Sequence, residues 1–327
     1  MKGIIGHIKQ REALAELART ERLPSTLLFS GVSGIGKQLV AREIAAQLLC
    51  SNLGAAPLGG CGRCQSCTLL TLGNQPDLHL LNFSSEEGIS VDDLRRTLEK
   101  LSLRSFMGGR KVAVLNDVDA ISVVGANIIL KSLEEPRPET FFILTASTPS
   151  RLPQTLLSRC QRWFFDRLST TEIQEILTAQ GEDRVDDTIA ILADGSISTL
   201  TAMRGRTDLW DDVRQTVDQA HAGDSSAVAR AALSWGTEKN LVQERLTFMR
   251  SAIRAKLLQH ADNYDAAAVW SNALQNALDA EHLVQDRHVN PTLCFAHVLS
   301  SCNKQLTLQY QRRPNSMASL GERLLRG

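Results

Sequence analysis

Gly31-Val32-Ser33-Gly34-Ile35-Gly36-Lys37 has the G-x-x-x-x-G-K spacing of a phosphate loop. In such a loop, backbone N–H groups cradle phosphates at a helix N-terminus and the lysine reaches the outer phosphates. The next residue is Gln38, where a working nucleotidase has a Ser or Thr hydroxyl that holds Mg²⁺. A carboxamide is longer and neutral, so the exchange damages metal placement more than phosphate affinity. Gly31, Ser33, Gly34, Gly36, Lys37 and Gln38 therefore read as a degenerate ATP or ADP site, and the residues leave open whether nucleotide occupies it. A glycine-rich turn between core elements is the plainer alternative. The flanks favour the loop: Thr26-Leu27-Leu28-Phe29 reads as a buried strand, and Gln38 to Cys50 carries Leu39, Val40, Ile44, Leu48 and Leu49 at helical spacing.

A second motif points the same way. ATPases of this type end a second key strand in Asp-Glu, the Asp supporting Mg²⁺ and the Glu preparing the attacking water. Here Val112 to Leu115 is followed by Asn116-Asp117. Asn is a neutral ligand, and Asp is one methylene shorter than Glu. Read without the loop, ordinary strand-end turn residues are the lesser alternative for this pair.

Seven cysteines in a chain read as cytosolic argue for reduced thiols or metal ligation rather than disulfides. Cys61, Cys64 and Cys67 stand at two successive two-residue gaps, and Cys50 precedes them across a stretch, Ser51 to Gly60, rich in Gly, Ala and Pro that lets the chain turn back. That set suffices for a tetrahedral Cys₄ zinc site. An iron–sulfur cluster uses the same gaps but typically adds a Cys-Pro downstream, and residues 68–71 are Thr-Leu-Leu-Thr. Unligated thiols are the third reading. No His or carboxylate in the run points to an open coordination position, so a closed structural site is expected.

The elements that must position these groups follow from apolar patterning. Residues 1–166 alternate apolar runs with helical periods, the mark of an α/β domain with a largely parallel sheet. The other runs are Leu78-His79-Leu80-Leu81, Phe141 to Thr145 and Trp163-Phe164-Phe165, the last closing the sheet. Ala126 to Glu135 reads as a helix ending before Pro136, with Ile128, Ile129, Leu130 and Leu133 inward. Ser169 and Glu172 have capping-box spacing and open a small helical lid, residues 167–207, that includes short helices at Thr188 to Ala193 and Leu200 to Met203. Residues 208–327 are almost wholly helix-compatible, with Ala227 to Trp235, Leu241 to His260 and Ala266 to Leu283 the clearest segments. The tail from Arg312 is polar and basic and reads as a frayed end.

At 327 residues the chain has room for two or three domains. Lys plus Arg balance Asp plus Glu at 36 each, so no electrostatic excess marks an autonomous DNA binder. Apolar runs of transmembrane length are absent, and a cytoplasmic protein without membrane contact is expected.

In order along the chain stand Arg22-Leu23-Pro24, the loop at 31–37, the cysteine run at 61–67, Pro76-Asp77-Leu78-His79, Leu130-Lys131-Ser132-Leu133-Glu134-Glu135-Pro136 and Ser158-Arg159-Cys160. Together they resemble the clamp-loader subunits of bacterial DNA polymerase III, members of the AAA+ superfamily. The likeness is strong over the first 200 residues or so and loose over the last hundred, where Asn290-Pro291-Thr292-Leu293 matches best. It implies an AAA+ P-loop domain with an inserted Cys₄ module (50–67), a lid, and an all-helical oligomerisation collar.

Within that family the motor subunits, gamma/tau, keep a hydroxyl after the loop lysine and an Asp-Glu pair. This chain has Gln38 and Asn116-Asp117, has Ala146 at the expected sensor threonine, and lacks the motor's lid arginine near Ser198. The resemblance is thus to the delta-prime branch, with the ATP-hydrolysing gamma/tau type as the alternative. It implies little ATPase turnover of its own, membership of a DNA-directed DNA polymerase (nucleotidyltransferase) holoenzyme, and a hetero-pentameric ring with gamma/tau and delta that loads the sliding clamp on primed DNA. It also implies that Arg159 is an arginine finger offered in trans to a neighbour's ATP, a role a fixed planar cation suits. Without the motif Arg159 reads as an ordinary salt-bridged surface residue. A zinc-dependent DNA-binding regulator is a further reading, weakened because Arg63 is the one cation inside the cysteine run.

Overall fold

Short apolar runs with no polar alternation become strands only where both faces are covered, and parallel neighbours require helical crossovers to cover them. The central strands satisfy both conditions, while the edge runs at 78–82 and 161–164 are only partly covered. In the computed structural model, which describes residues 3–53, 58–83, 89–182, 193–286 and 289–303, the strands are β1 (Thr26–Ser30), β2 (Leu78–Asn82), β3 (Lys111–Asn116), β4 (Thr140–Ala146) and β5 (Gln161–Phe164). They form one sheet in the order β2-β3-β4-β1-β5, with every neighbouring pair parallel.

The helices around it are α1 (Ile8–Arg19), α2 (Lys37–Leu49), α3 (Gln65–Thr71), α4 (Val91–Ser102), α5 (Val123–Glu134), α6 (Gln154–Leu157) and α7 (Thr170–Gln180). Along β1 successive side chains point to opposite faces. Leu28 joins Leu115, Phe142 and Leu144 in a core shared with Leu94 and Leu101 of α4, Ile129 and Leu133 of α5 and Leu156 of α6. On the other face α2 packs against β1, β3 and β4, with Val40 and Ile44 fully buried. Each such side chain contributes roughly 1.5–3 kcal/mol by leaving water. Among the described residues, no helix is long and apolar enough to cross a membrane.

Local chemistry accounts for most helix starts. The capping box of α7 forms as its spacing predicts: Ser169 accepts the Glu172 N–H, and Glu172 accepts the Ser169 N–H. Helix α5 begins at Val123 rather than at Ala126, because the Ser122 hydroxyl caps the Gly125 N–H one turn earlier. Ser90 caps α4 in the same way. Leu39 does not join the core as its spacing suggests; it is 55% exposed, since Val40, Ala41, Ile44 and Ala45 set the buried stripe of α2 and Leu39 falls outside it.

An ion pair fastens α1 to α2. Arg11 grips Glu43 bidentately, Nε to Oε2 and Nη2 to Oε1, each at 2.7 Å, and donates through Nη1 to the Ile4 carbonyl at 2.6 Å. Both side chains are under a tenth exposed. Removing one partner strands the other charge in the core, so Glu43→Ala should cost about 3–5 kcal/mol, read as a lowered midpoint in chemical denaturation.

By compactness the chain divides into two units, Met1–Arg184 with Gly195–Ile197, and Val185–Asp194 with Ser198–Gly327. Beyond the sheet the helices are α8 (Ile197–Gly205), α9 (Thr207–Ala222), α10 (Ser225–Thr237), α11 (Val242–Gln259), α12 (Tyr264–Asp286) and α13 (Pro291–Ser301). The second unit has its own core built on Trp210, Trp235, Phe248, Trp270 and Phe295. The Trp210–Phe248 and Trp235–Phe295 pairs meet edge to face at 5.7 and 5.4 Å, the orientation aromatic quadrupoles favour. Asn290 caps α13, with Pro291 in its first turn. The helix expected at Thr188 to Ala193 lies mostly outside the described residues, and so does the tail from Arg312.

Candidate functional site

Parallel register brings the carboxyl ends of three strands together. Ser30 of β1 pairs with Ala146 of β4, and Leu115 of β3 pairs with Leu144, so Ser30, Asn116 and Ala146 share one rim. The glycine loop leaves β1 at that rim and opens directly into α2, whose N-terminus no side chain caps. Gly31 has no room for a side chain: a Cβ there would lie 2.3 Å from the Phe165 carbonyl oxygen.

Lys37 is turned back on its own loop. Its Nζ donates to the Gly31 and Val32 carbonyls at 2.7 Å each and to the Ser147 hydroxyl at 3.3 Å. Burial pulls its pKa down to about 8, with the carboxylates of Asp117 and Asp119 working the other way. Any phosphate entering the loop must compete with these three acceptors. Ser33 and Gln38 are exposed.

The second motif sits beside the lysine. Asn116 is 2% exposed, and its Oδ1 has no hydrogen-bond partner among the described residues. Asp117 takes a left-handed backbone conformation and donates its N–H to the Thr145 hydroxyl at 3.1 Å. Asp119, which motif reading passes over, accepts the N–H groups of Ser147 and Thr148 at 3.1 and 2.8 Å and ties the β3 end to the β4 end. His7 is a second contact that no motif marks: its Nε2 lies 2.8 Å from the Ile35 carbonyl, and its ring meets Phe165 edge-on, bracing the loop from the N-terminal side. Its one mark in the sequence is a Gly-His pair before a helix, a pattern too common to identify a site.

The four cysteines come together as their spacing suggests. The sulfurs of Cys50, Cys61, Cys64 and Cys67 all lie within 4.8 Å of one another, a cluster that can hold a metal ion. Cys50 and Cys64 are 3.9 Å apart; a tetrahedron with ~2.3 Å metal–sulfur bonds has edges of about 3.8 Å, so the donor set fits zinc. Backbone N–H groups point at the sulfurs, from Asn52 and Cys61 to Cys50 and from Cys67 to Cys64. Burial opposes ionisation of Cys64, but the Cys67 and Ser51 N–H groups and the neighbouring thiols outweigh it and hold the pKa at about 6. Burial instead drives Cys67 to about 12. Cys64 also caps α3. Gly60 leaves the space the cluster needs, since a Cβ there would stand 2.4 Å from the Cys67 sulfur.

Asp77, from the Pro-Asp-Leu-His motif, is buried and organises a turn beside this module. Its carboxylate accepts the N–H groups of Phe106 and Met107 and the Ser105 hydroxyl, each at 2.8 Å. Cys50, Ser66, Asp77 and Met107 are among the residues lining a cavity of about 350 Å³ there.

Arg159 follows α6 and is about a third exposed. Its Nη2 lies 2.7 Å from Oε1 of Glu134, and its Nη1 donates to the Thr155 carbonyl at 2.7 Å. It lies neither in the loop cluster nor in the cysteine cluster.

An all-parallel sheet whose first strand runs through a G-x-x-x-x-G-K loop into a helix defines a P-loop protein of the α/β class, here with Gln38 after the loop lysine and Asn116-Asp117 at the end of β3. The family described as DNA polymerase III, delta subunit, matches residues 6–169. This chain belongs to that family. It is similar to the delta-prime subunit of Pseudomonas aeruginosa, 42% identical over 143 residues that make up 43% of each chain. A tau/gamma subunit of Haemophilus influenzae is 34% identical over 202 residues, 59% of this chain and 29% of that one. A gamma subunit-related protein of Thermotoga maritima superposes with a TM-score of 0.43 at 13% identity, covering 89% of this chain and 98% of its own. The matched region spans about half the length of the delta-prime relatives, 43% and 50% of the first two.

Proposed function

We propose that this chain is a delta-prime clamp-loader subunit, a stator that does not itself turn over ATP. The observation that carries the reading is the set of residues at the rim beside Lys37: Gln38 after the lysine, and Asn116 and Asp117 at the end of β3. A motor must place Mg²⁺ and aim a water at the outer phosphate. With a carboxamide for the hydroxyl, a neutral amide for the magnesium carboxylate and a shortened acid for the base, this site does neither well. Gly31, Ser33, Gly34, Gly36, Lys37 and Gln38 keep at most a place for ATP or ADP.

The subunit works in the cytoplasm in a hetero-pentameric ring with gamma/tau and delta, where ATP bound by the motors opens the sliding clamp and releases it closed on primed DNA. Residues 1–166 form the P-loop domain, 167–207 the lid and 208–327 the collar that holds the ring together. Arg159 reaches across a subunit boundary to a neighbour's ATP, where a guanidinium stabilises charge on the transferring phosphoryl group. Cys50, Cys61, Cys64 and Cys67 hold a structural zinc ion, which closes the 50–67 insert where no large core exists.

Relatives named tau/gamma make the motor the second reading, and turnover separates the two. Purified chain alone is expected to show negligible steady-state ATP hydrolysis. Robust hydrolysis abolished by Lys37→Ala would make it a motor.

A further inference from the structure

We infer that Glu134 is the resting partner of the Arg159 finger, a latch that neutralises the guanidinium until a neighbour's triphosphate draws it away. The inference rests on the trans-acting role proposed for Arg159. Glu134 is the last residue of α5, and Arg159 lies just beyond α6. These helices pack on each other, and Leu133 and Leu156, near the paired residues in sequence, are buried in the same core. The two charged groups are therefore brought together by a fixed framework and not by the chance meeting of two loose side chains.

The charge placement also has a local cost. A carboxylate at a helix C-terminus faces the negative end of the helix dipole, where a cation is favoured. Glu134 ends α5 in that position, and the Arg159 guanidinium at 2.7 Å supplies the compensating charge. The Thr155 carbonyl and the Ser158 hydroxyl hold Nη1 at 2.7 and 3.4 Å. Together these contacts hold the head group over α5 and α6. A guanidinium paired with a carboxylate has little net charge left for a transition state, so the pair must open for the finger to work.

The pair is built to open. Arg159 and Glu134 are 35% and 48% exposed, and an exposed ion pair shifts an equilibrium by about two- to five-fold at most. A triphosphate carries several negative charges and outcompetes a single carboxylate. The latch therefore sets the ATP concentration at which the finger engages without blocking it.

Glu134→Gln keeps the size and removes the charge. In a ring reconstituted with the full-length chain, this variant should lower the half-saturating ATP concentration by up to about two- to five-fold, with the maximal rate nearly unchanged. The shift should shrink as salt rises, because screening already weakens the wild-type pair. It should vanish in an Arg159→Ala background, where there is nothing to latch. Glu135→Gln serves as the control for a generic loss of charge at this corner. An unchanged or raised half-saturating concentration in Glu134→Gln overturns the latch, and so does a shift that persists without Arg159. If Arg159→Ala alone leaves turnover unchanged, the finger reading is what fails.

Discussion

Replacing Cys64 with serine is expected to leave the chain without its metal, while the wild-type protein purified without chelator carries about one zinc per chain by elemental analysis. Four sulfurs already stand within 4.8 Å of one another, ringed by N–H donors. Apparent binding free energies for structural zinc of this kind are on the order of 10–16 kcal/mol near neutral pH, and part of that is folding energy of the segment that wraps the ion. The loss should be local. The sheet core around Leu28, Leu115 and Leu144 contains no residue of the insert, so Cys64→Ser should keep its far-UV circular dichroism spectrum while residues 58–67 become more accessible to protease. The same protease sensitivity should follow chelation of the wild-type protein. Zinc-free wild-type protein with no cluster absorbance and the same protease resistance would leave the four thiols as packing residues.

Arg159→Ala is expected to preserve folding and assembly while lowering DNA-stimulated ATP turnover and clamp loading by the reconstituted ring. An arginine finger is worth on the order of 10³ or more in rate at its own site; under the role proposed for Arg159 a single site would lose it, so the total rate should fall in part. Stability should hardly change, because the ion pair that is lost is exposed and worth under about 1 kcal/mol. Unfolding of the variant, or unchanged clamp loading, would return Arg159 to the ordinary surface role its residue type suggests.

Where sequence and structure agree, the reason is local. Strand, glycine loop and helix follow one another within residues 26–49, so their order and chemistry are visible as a contiguous motif. The Cys₄ set is legible because three ligands lie within one turn-sized segment and the fourth is a short excursion away. Gln38 and Asn116-Asp117 stand at motif positions that their neighbours mark, and their reading as replaced groups belongs to the proposed function. Ser169 with Glu172 is legible for the same reason: a capping box is a contact between residues three apart.

The rest depends on residues far apart in sequence, which only the folded sheet brings together. Spacing shows Lys37 and the nearby Gly31 and Val32 carbonyls, but its contact with Ser147 requires the parallel pairing of β1 with β4. Asp119 reads as one more turn residue until it binds Ser147 and Thr148 across the sheet rim. Arg11 and Glu43, each unremarkable on an amphipathic helix, become a buried pair once α1 lies on α2. Leu39 belongs to the helical pattern yet faces out, because which side of α2 is buried is decided by the sheet beneath it. By itself the sequence determined the P-loop class and the cysteine cluster, since these are short-range patterns of residue type. Tertiary structure alone decided that the loop lysine reaches Ser147 and that Arg159 rests on Glu134, because those contacts depend on how strands and helices that are distant in the chain pack together.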